Sequence, residues 1–278
     1  MKILSKTTAA ILLGAAFSTT ALAETWSSTE IHLTYGELEQ VGTDGAKVDT
    51  SIVTLQHAGG WKYGDNFFFI DHLEFDSDGK GDNPFNPGSD SNEMYGEWYS
   101  NFSLGAITGS EIKFGPVKDI GVIAGFNWAP EVDSWWFLPG VRFDLDLPGF
   151  AFAHLDITAY QHQSGGSADS AAFTVIDEDN SYMIDFNWAY PFKIGSTSWS
   201  LEGHIEYIDG RDQVTNFGSG ELESHILAQP QLRFDLGEAM GNEAGNLFVG
   251  IEYQYWKNKL GEDGTDENEV QLLAVWNF

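Results

Sequence analysis

The stretch Glu269-Val270-Gln271-Leu272-Leu273-Ala274-Val275-Trp276-Asn277-Phe278 decides the fold class. Val270, Leu272, Ala274, Trp276 and Phe278 fall on every second position, and Glu269, Gln271, Leu273, Val275 and Asn277 on the others. A period of two puts the two sets on opposite faces of an extended strand. One face is wholly apolar and ends on an aromatic residue.

The same alternation recurs upstream. Leu247, Val249, Ile251, Tyr253 and Tyr255 alternate with Phe248, Gly250, Glu252, Gln254 and Trp256. Leu201, Gly203, Ile205 and Tyr207 alternate with Ser200, Glu202, His204 and Glu206, and Ile184, Phe186, Trp188 and Tyr190 with Met183, Asp185, Asn187 and Ala189. Helical periodicity is almost absent. Twelve such segments lie near 28–38, 48–58, 65–76, 93–104, 118–128, 135–146, 150–161, 180–190, 197–208, 222–236, 246–257 and 268–278. Most have the ~9–11 residues that a tilted strand needs to cross a bilayer.

The connections alternate too. Gly59–Gly64, Leu147–Gly149 and Pro191–Ser196 are short, while Ser77–Asn92, His162–Asp179, Asp209–Glu221 and Asn258–Glu267 are longer and acidic. Tight turns on one side and long loops on the other form the outer-membrane barrel pattern. A soluble sandwich also alternates. Aromatics gathered at segment ends favour the barrel, as interfacial girdles require: Trp61, Tyr63, Trp98, Trp128, Trp135, Trp136, Trp188, Trp199 and Trp256. The even strand count, ending on Phe278, favours it as well. The expected fold is all-β: a single antiparallel transmembrane β-barrel of twelve strands over residues 24–278.

Residues 1–23 read as a secretory signal peptide, with Lys2 and Lys6, an apolar Ala9–Phe17 and the small-x-small site Ala21-Leu22-Ala23. The expected location is the outer membrane of a Gram-negative cell. The chain of 278 residues carries 13 Lys+Arg against 42 Asp+Glu, a net charge of −29. That acidity excludes generic nucleic-acid binding. The absence of cysteine excludes a disulfide scaffold, a thiol nucleophile and a cysteine-ligated zinc site.

Ser103-Leu104-Gly105-Ala106-Ile107-Thr108-Gly109-Ser110-Glu111-Ile112-Lys113-Phe114-Gly115-Pro116-Val117-Lys118-Asp119 resembles a segment of the Tsx/OmpK family of outer-membrane channel proteins. Phe67-Phe68-Phe69-Ile70-Asp71, Leu145-Asp146-Leu147-Pro148-Gly149-Phe150 and the final aromatic strand are similar to it as well. The resemblance implies twelve strands, a narrow nucleoside-selective pore and, in some members, service as a phage receptor.

With the apolar set of each strand facing lipid, the polar set faces the lumen. The inward residues are then Glu30, His32, His72, Glu74, Tyr95, Glu97, Tyr99, Asn101, Arg142, Asp144, Asp146, His154, Asp156, Asp185, Asn187, Glu202, His204, Glu206, His225, Gln229, Arg233, Glu252 and Gln254. Candidate solute contacts among them are Tyr95, Glu97, Tyr99, Asn101, Arg142, Asp144, His154, Asp156, Asp185, His204, Glu206 and Arg233. The plain alternative is an electrostatic lining that only sets pore size. Tyr95-x-Glu97-x-Tyr99 offers two aromatic faces around one acceptor, which suits a nucleoside.

Asp76-Ser77-Asp78-Gly79-Lys80-Gly81-Asp82 fails the EF-hand spacing, with Lys80 at a ligand position and Pro87 where the bidentate Glu belongs. His-Glu-x-x-His, P-loop and Gly-x-Ser-x-Gly motifs are absent. No cofactor and no enzymatic activity are expected. The expected function is a passive channel for nucleosides or similar small polar solutes, with lipid and, through Phe278, the barrel-assembly machinery as partners. The alternatives are a closed-lumen receptor or adhesin, with loops that could bind phage, and a barrel hydrolase built on a Ser–His pair.

Overall fold

A computed structural model describes residues 25–39, 47–75, 92–164, 166 and 173–278. Residues 1–23, read above as a signal peptide, and the Asp76–Asp82 run lie outside these residues. The strands are β1 (Trp26–Glu39), β2 (Lys47–Trp61), β3 (Gly64–Phe75), β4 (Asn92–Ser103), β5 (Val117–Ala129), β6 (Ser134–Leu145), β7 (Phe152–Ser164) and β8 (Val175–Glu178). Then come β9 (Ser181–Ile194), β10 (Thr197–Ile208), β11 (Arg211–Thr215), β12 (Gly218–Leu222), β13 (His225–Ala228), β14 (Gln231–Asp235), β15 (Leu247–Lys257) and β16 (Glu267–Asn277).

β13 and β14 are two halves of one staff. Both pair with β10 and β15, and they part at Gln229-Pro230, where proline has no N–H for the ladder. Each staff pairs antiparallel with its neighbour, and β16 pairs with β1 through Leu33↔Ala274 to close the ring. The result is the expected closed twelve-strand barrel. Closure removes the sheet edges, so every staff has a ladder partner on both sides.

The short connections use local chemistry suited to tight reversal. Gly195, at φ 62°, turns β9 into β10, and Gly149, at φ 89°, completes the Leu-Pro-Gly turn after β6. The two longer turns on this side each hold a helical turn, α1 (Leu104–Thr108) and α2 (Leu236–Ala239). Ser103 caps α1 by accepting from the Ala106 N–H at 2.9 Å. Asp235 caps α2 by accepting from the Glu238 N–H at 2.8 Å, and its other oxygen accepts from the Gly245 N–H at 2.8 Å. Both are ordinary N-cap contacts.

Face assignment follows strand parity. On β16, Leu272 is 65% exposed while Gln271 is fully buried inside the ring. Leu33, Val53, Ile70, Trp98, Val122, Phe137, Ile157, Ile184, Ile205 and Ile251 lie exposed on the outer faces of ten further strands. An apolar belt encircles a polar interior, the reverse of a sandwich. Bilayer lipid, not a second sheet, is the partner this surface fits.

Four sequence expectations need correction. His72 and Glu74 point outward. In Phe67-Phe68-Phe69-Ile70 the alternation disappears, so hydrophobicity cannot set parity there. The Thr54 hydroxyl, on the inner face of β2, donates to Asp71 at 2.6 Å and places Asp71, Phe69, Phe67 and Asp65 inward. Asp146 lies exposed in the turn after β6, its N–H donating to the Pro116 carbonyl at 2.7 Å. Trp136, read as a girdle residue with Trp135, is inward and buried.

The fourth correction concerns the connections at 162–179 and 209–221. They contribute β8, β11 and β12, which form a separate three-stranded sheet in the order β12-β11-β8. Its strands have only four or five residues, and β12 reads Gly-Ser-Gly-Glu-Leu, a composition poor in strand formers.

Candidate functional site

Part of the lumen is filled by packed side chains. Tyr99, Ile123, Leu138, Trp136, Tyr160, Met183 and Ile208, contributed by β4 to β7, β9 and β10, form one buried apolar cluster inside the ring. At the end bearing the long connections, Arg211 and Glu178 of the small sheet reach this cluster. Arg211 Nε donates to Glu178 Oε2 at 2.7 Å, the Trp136 indole N–H donates to the same oxygen at 3.0 Å, and the guanidinium lies 4.9 Å above the Tyr160 ring. A surface sheet is thereby anchored in the barrel mouth through buried groups.

Beside the cluster the lumen holds a chamber of about 600 Å3. Its wall carries nine carboxylates, Asp65, Asp71, Glu97, Asp144, Asp156, Asp185, Glu202, Glu206 and Glu252, against Lys118, Arg142 and Arg233. Carboxylates therefore outnumber Lys and Arg threefold in the lining, which also holds His32, His154 and His204. Phe67, Phe69, Phe152 and Tyr99 add aromatic surface.

Two arginine braces hold the chamber near the end with the short turns. Arg142 grips Asp156 of β7 with two hydrogen bonds, Nε to Oδ1 at 2.8 Å and Nη2 to Oδ2 at 2.7 Å. Its Nη1 reaches across to Asp65 Oδ1 of β3 at 2.9 Å. Arg233 Nη1 lies 3.2 Å from Glu30 of β1 and 3.1 Å from Glu202 of β10, and its Nε donates to Gln231 at 2.8 Å. The planar fork suits such multi-carboxylate bridging, and each brace joins strands that are not neighbours.

From the Arg233 brace a polar ladder climbs the β14–β16 wall. Gln231 Nε2 donates to Glu252 at 2.5 Å, and Gln271 Nε2 donates to Glu252 at 3.0 Å and to Gln254 at 3.1 Å. Gln254 donates to Glu267, which also receives Lys259 Nζ at 2.8 Å and the Glu39 N–H at 2.7 Å. The ladder follows adjacent staves, with Gln231 paired to Glu252 and Glu252 to Gln271, and of these contacts the one to Glu39 of β1 depends on ring closure.

Of the twelve candidate residues, Glu97, Tyr99, Arg142, Asp144, His154, Asp156, Asp185, His204, Glu206 and Arg233 line the chamber. Tyr95 and Asn101 do not: the Tyr95 hydroxyl donates to Glu97 at 2.6 Å, and Asn101 is buried, donating to Asp65 at 2.8 Å. Tyr95, Glu97 and Tyr99 share one face, as the alternation requires. Their arrangement differs from the expected stacking element. The Tyr99 ring is packed in the apolar cluster, its hydroxyl donating to Asn127 at 2.9 Å, and Asn127 Nδ2 donates to Glu97 at 3.0 Å. The two tyrosines support the wall and orient Glu97.

Asp65, Asp71, Phe67 and Phe69 were missed as lumen residues. A cross-strand argument could have found them: Phe67 pairs with Tyr99 and Phe69 with Glu97, and directly paired residues share a face. Among the described residues no three His, Asp or Glu groups converge so as to hold a metal ion.

These features define the class: a bilayer-type β-barrel with an acidic, arginine-braced lumen. No family model matches the chain, and no curated protein sequence matches it. Among solved structures, the COG4313 outer-membrane channel from Pseudomonas putida F1 is similar, with a TM-score of 0.51 at 8% identity over 95% of this chain and 98% of that one. Salmonella typhi OmpF in complex with daunomycin matches at a TM-score of 0.40 and 9% identity over 91% of this chain and 100% of that one. The beta domain of the Bordetella autotransporter Brka matches at 0.37 and 9% over 91% and 100%. At these identities the first likeness shows the barrel fold alone, and the other two carry no argument.

Proposed function

We propose that this chain is a passive outer-membrane channel for small polar solutes, nucleosides or solutes like them. The observation that carries the reading is the chamber: about 600 Å3 of space lined by charged, polar and aromatic side chains inside a ring whose exterior is apolar. Enclosed volumes of roughly 300–1,000 Å3 are the usual scale for small-molecule sites. The nucleoside part rests on the Tsx/OmpK resemblance of residues 103–119. Radiolabelled adenosine uptake into proteoliposomes tests it. Uptake that saturates, and exceeds that of a sugar of equal size, is expected; uptake no faster than in protein-free vesicles would contradict it.

The proposed orientation puts both chain ends and the short turns in the periplasm and the β8–β11–β12 sheet outside the cell. Phe278 is 64% exposed, with its N–H donating to the Thr29 carbonyl at 3.0 Å, so its ring is available to the assembly machinery. Deleting Phe278 is expected to lower the yield of heat-modifiable barrel in the outer membrane. Normal yield would remove this residue from the assembly signal.

A receptor or adhesin reading is favoured by one feature, the sheet anchored in the mouth by Arg211 and Glu178, with Phe217 72% exposed at the β11–β12 turn. Phage binding would belong to that reading. Absence of conductance would favour it over the channel. The hydrolase alternative has a Ser–His contact to stand on, Ser134 Oγ to His162 Nε2 at 3.2 Å. Both residues are buried, and the Ser134 hydroxyl also lies 3.2 Å from the Val132 carbonyl, to which it donates. A serine that spends its proton on a carbonyl is poorly set for attack.

A further inference from the structure

The chamber has two unlike walls. β3 presents Phe67 and Phe69, with ring centroids 6.1 Å apart, and Phe69 continues to Tyr95 at 6.0 Å. Six strands away round the twelve-strand ring, on the opposite wall, β10 presents His204 and Glu206 beside Asp185 of β9. The rings have their hydrogen-bonding needs met by having none. The opposite wall does not. Asp185 Oδ1 and His204 Nε2 are out of solvent and have no hydrogen-bond partner among the described residues. Asp185 uses only its other oxygen, accepting from Asn187 at 2.7 Å. Glu206 accepts no hydrogen bond from a described residue, and it lies near enough to Glu97 and Asp185 to repel them.

Unpartnered polar atoms gathered at one place carry a desolvation penalty until a hydrogen-bond partner arrives, and repulsion between carboxylates is relieved by a cation. Arg142 and Arg233 are committed to the braces described above. What the chamber lacks is a cationic N–H donor on the β9–β10 side and a flat body on the β3 side.

We propose that the chamber's preferred solutes are organic cations of a particular shape: an aryl body that lies against Phe67 and Phe69, and an ammonium or amidinium head that donates to Asp185 and Glu206 beside His204. This deepens the channel reading and rests on it. Neutral nucleosides would share the stacking part alone, and anions would be disfavoured by the same carboxylates.

The test uses the full mature chain in planar bilayers, with three solutes of matched size: 2-phenylethylamine, 2-phenylethanol and phenylacetate. Block of ion current is read against concentration. The amine is expected to block at about tenfold lower concentration than the alcohol, and phenylacetate least of all. Asp185→Asn/Glu206→Gln is expected to bring the amine to the level of the alcohol. Phe67→Leu/Phe69→Leu should weaken the amine and the alcohol together while leaving block by n-propylamine unchanged. Each variant is first checked for heat-modifiable mobility, with the single Asp185→Asn in reserve should the double variant fail to assemble. Equal block by amine and alcohol in the parent, or a preference that survives loss of the carboxylates, would overturn the proposal. If the parent conducts no current, the channel reading fails by itself. Amine binding is then followed by tryptophan fluorescence in detergent, where the same order of affinities would sustain the site and its absence would end it.

Discussion

Arg142→Met is expected to destabilise the barrel by ~3–5 kcal/mol, the scale for removing one partner of a buried ion pair. Arg142 is 5% exposed and Asp156 3%. Removing the guanidinium takes away three hydrogen bonds and leaves Asp156 and Asp65 facing each other with Asp144 close by. The guanidinium also ties β6 to β3, two staves that share no ladder. Unfolding in detergent micelles, followed by loss of heat-modifiable mobility against urea, reads the effect. Arg142→Lys should lose less, since a point charge remains while the two-pronged grip on Asp156 is lost. Adding Asp156→Asn to Arg142→Met should recover part of the loss, because the stranded charge is then gone. A midpoint unchanged by Arg142→Met would mean that water in the chamber solvates the carboxylates as well as the arginine does.

The second large effect contrasts neighbours on β10. Ile205 is 44% exposed in the apolar belt, and His204 lines the chamber. Ile205→Arg is expected to destabilise by ~2–4 kcal/mol if it lies near the bilayer midplane, because a cation on the lipid face has no partner there. His204→Arg should alter conductance with far less effect on folding, since its new charge meets Glu206 and Asp185. Refolding yield into lipid vesicles and single-channel current together separate the two. Equal loss of folding in both variants would mean that the parity of β10 is inverted, since a slip of one residue exchanges the faces.

The architecture was legible because one rule governs every staff. In β16 every second residue from Val270 to Phe278 is apolar while Gln271 marks the other face, and the structure leaves Val270, Leu272, Trp276 and Phe278 exposed and buries Gln271, Leu273 and Val275. Where the alternation lapses, so does the reading. Phe67 to Ile70 are all apolar, and the parity of β3 is set instead by Asp71 bonding to Thr54. Trp136 was misplaced for a related reason. A tryptophan at a strand end satisfies the girdle rule on either face, whereas the parity that Trp136 shares with Arg142 and Asp144 turns it inward, where its indole N–H meets Glu178.

Arginine inside a barrel implies a carboxylate partner, so the acidic surroundings of Arg142 and Arg233 were foreseeable. Which carboxylates they would hold was not. Asp65 is 77 positions from Arg142, and Glu30 is 203 from Arg233. Ring closure decides such pairs, and local pattern carries no information about curvature. The small sheet escaped notice because its strands are short and rich in glycine and acid. It is held by a few buried side chains more than by an alternating face.

The central claim is an acidic lumen open to small solutes, and ion selectivity reports on it most directly. The mature chain in a planar bilayer, with a tenfold KCl gradient across it, gives a reversal potential. The sign expected is that of cation preference, since the chamber wall carries nine carboxylates against three Lys and Arg side chains. The preference should shrink as total salt rises, because screening shortens to about 3 Å at 1 M. A reversal potential of the opposite sign, or no current at all from correctly folded barrel, would contradict the account.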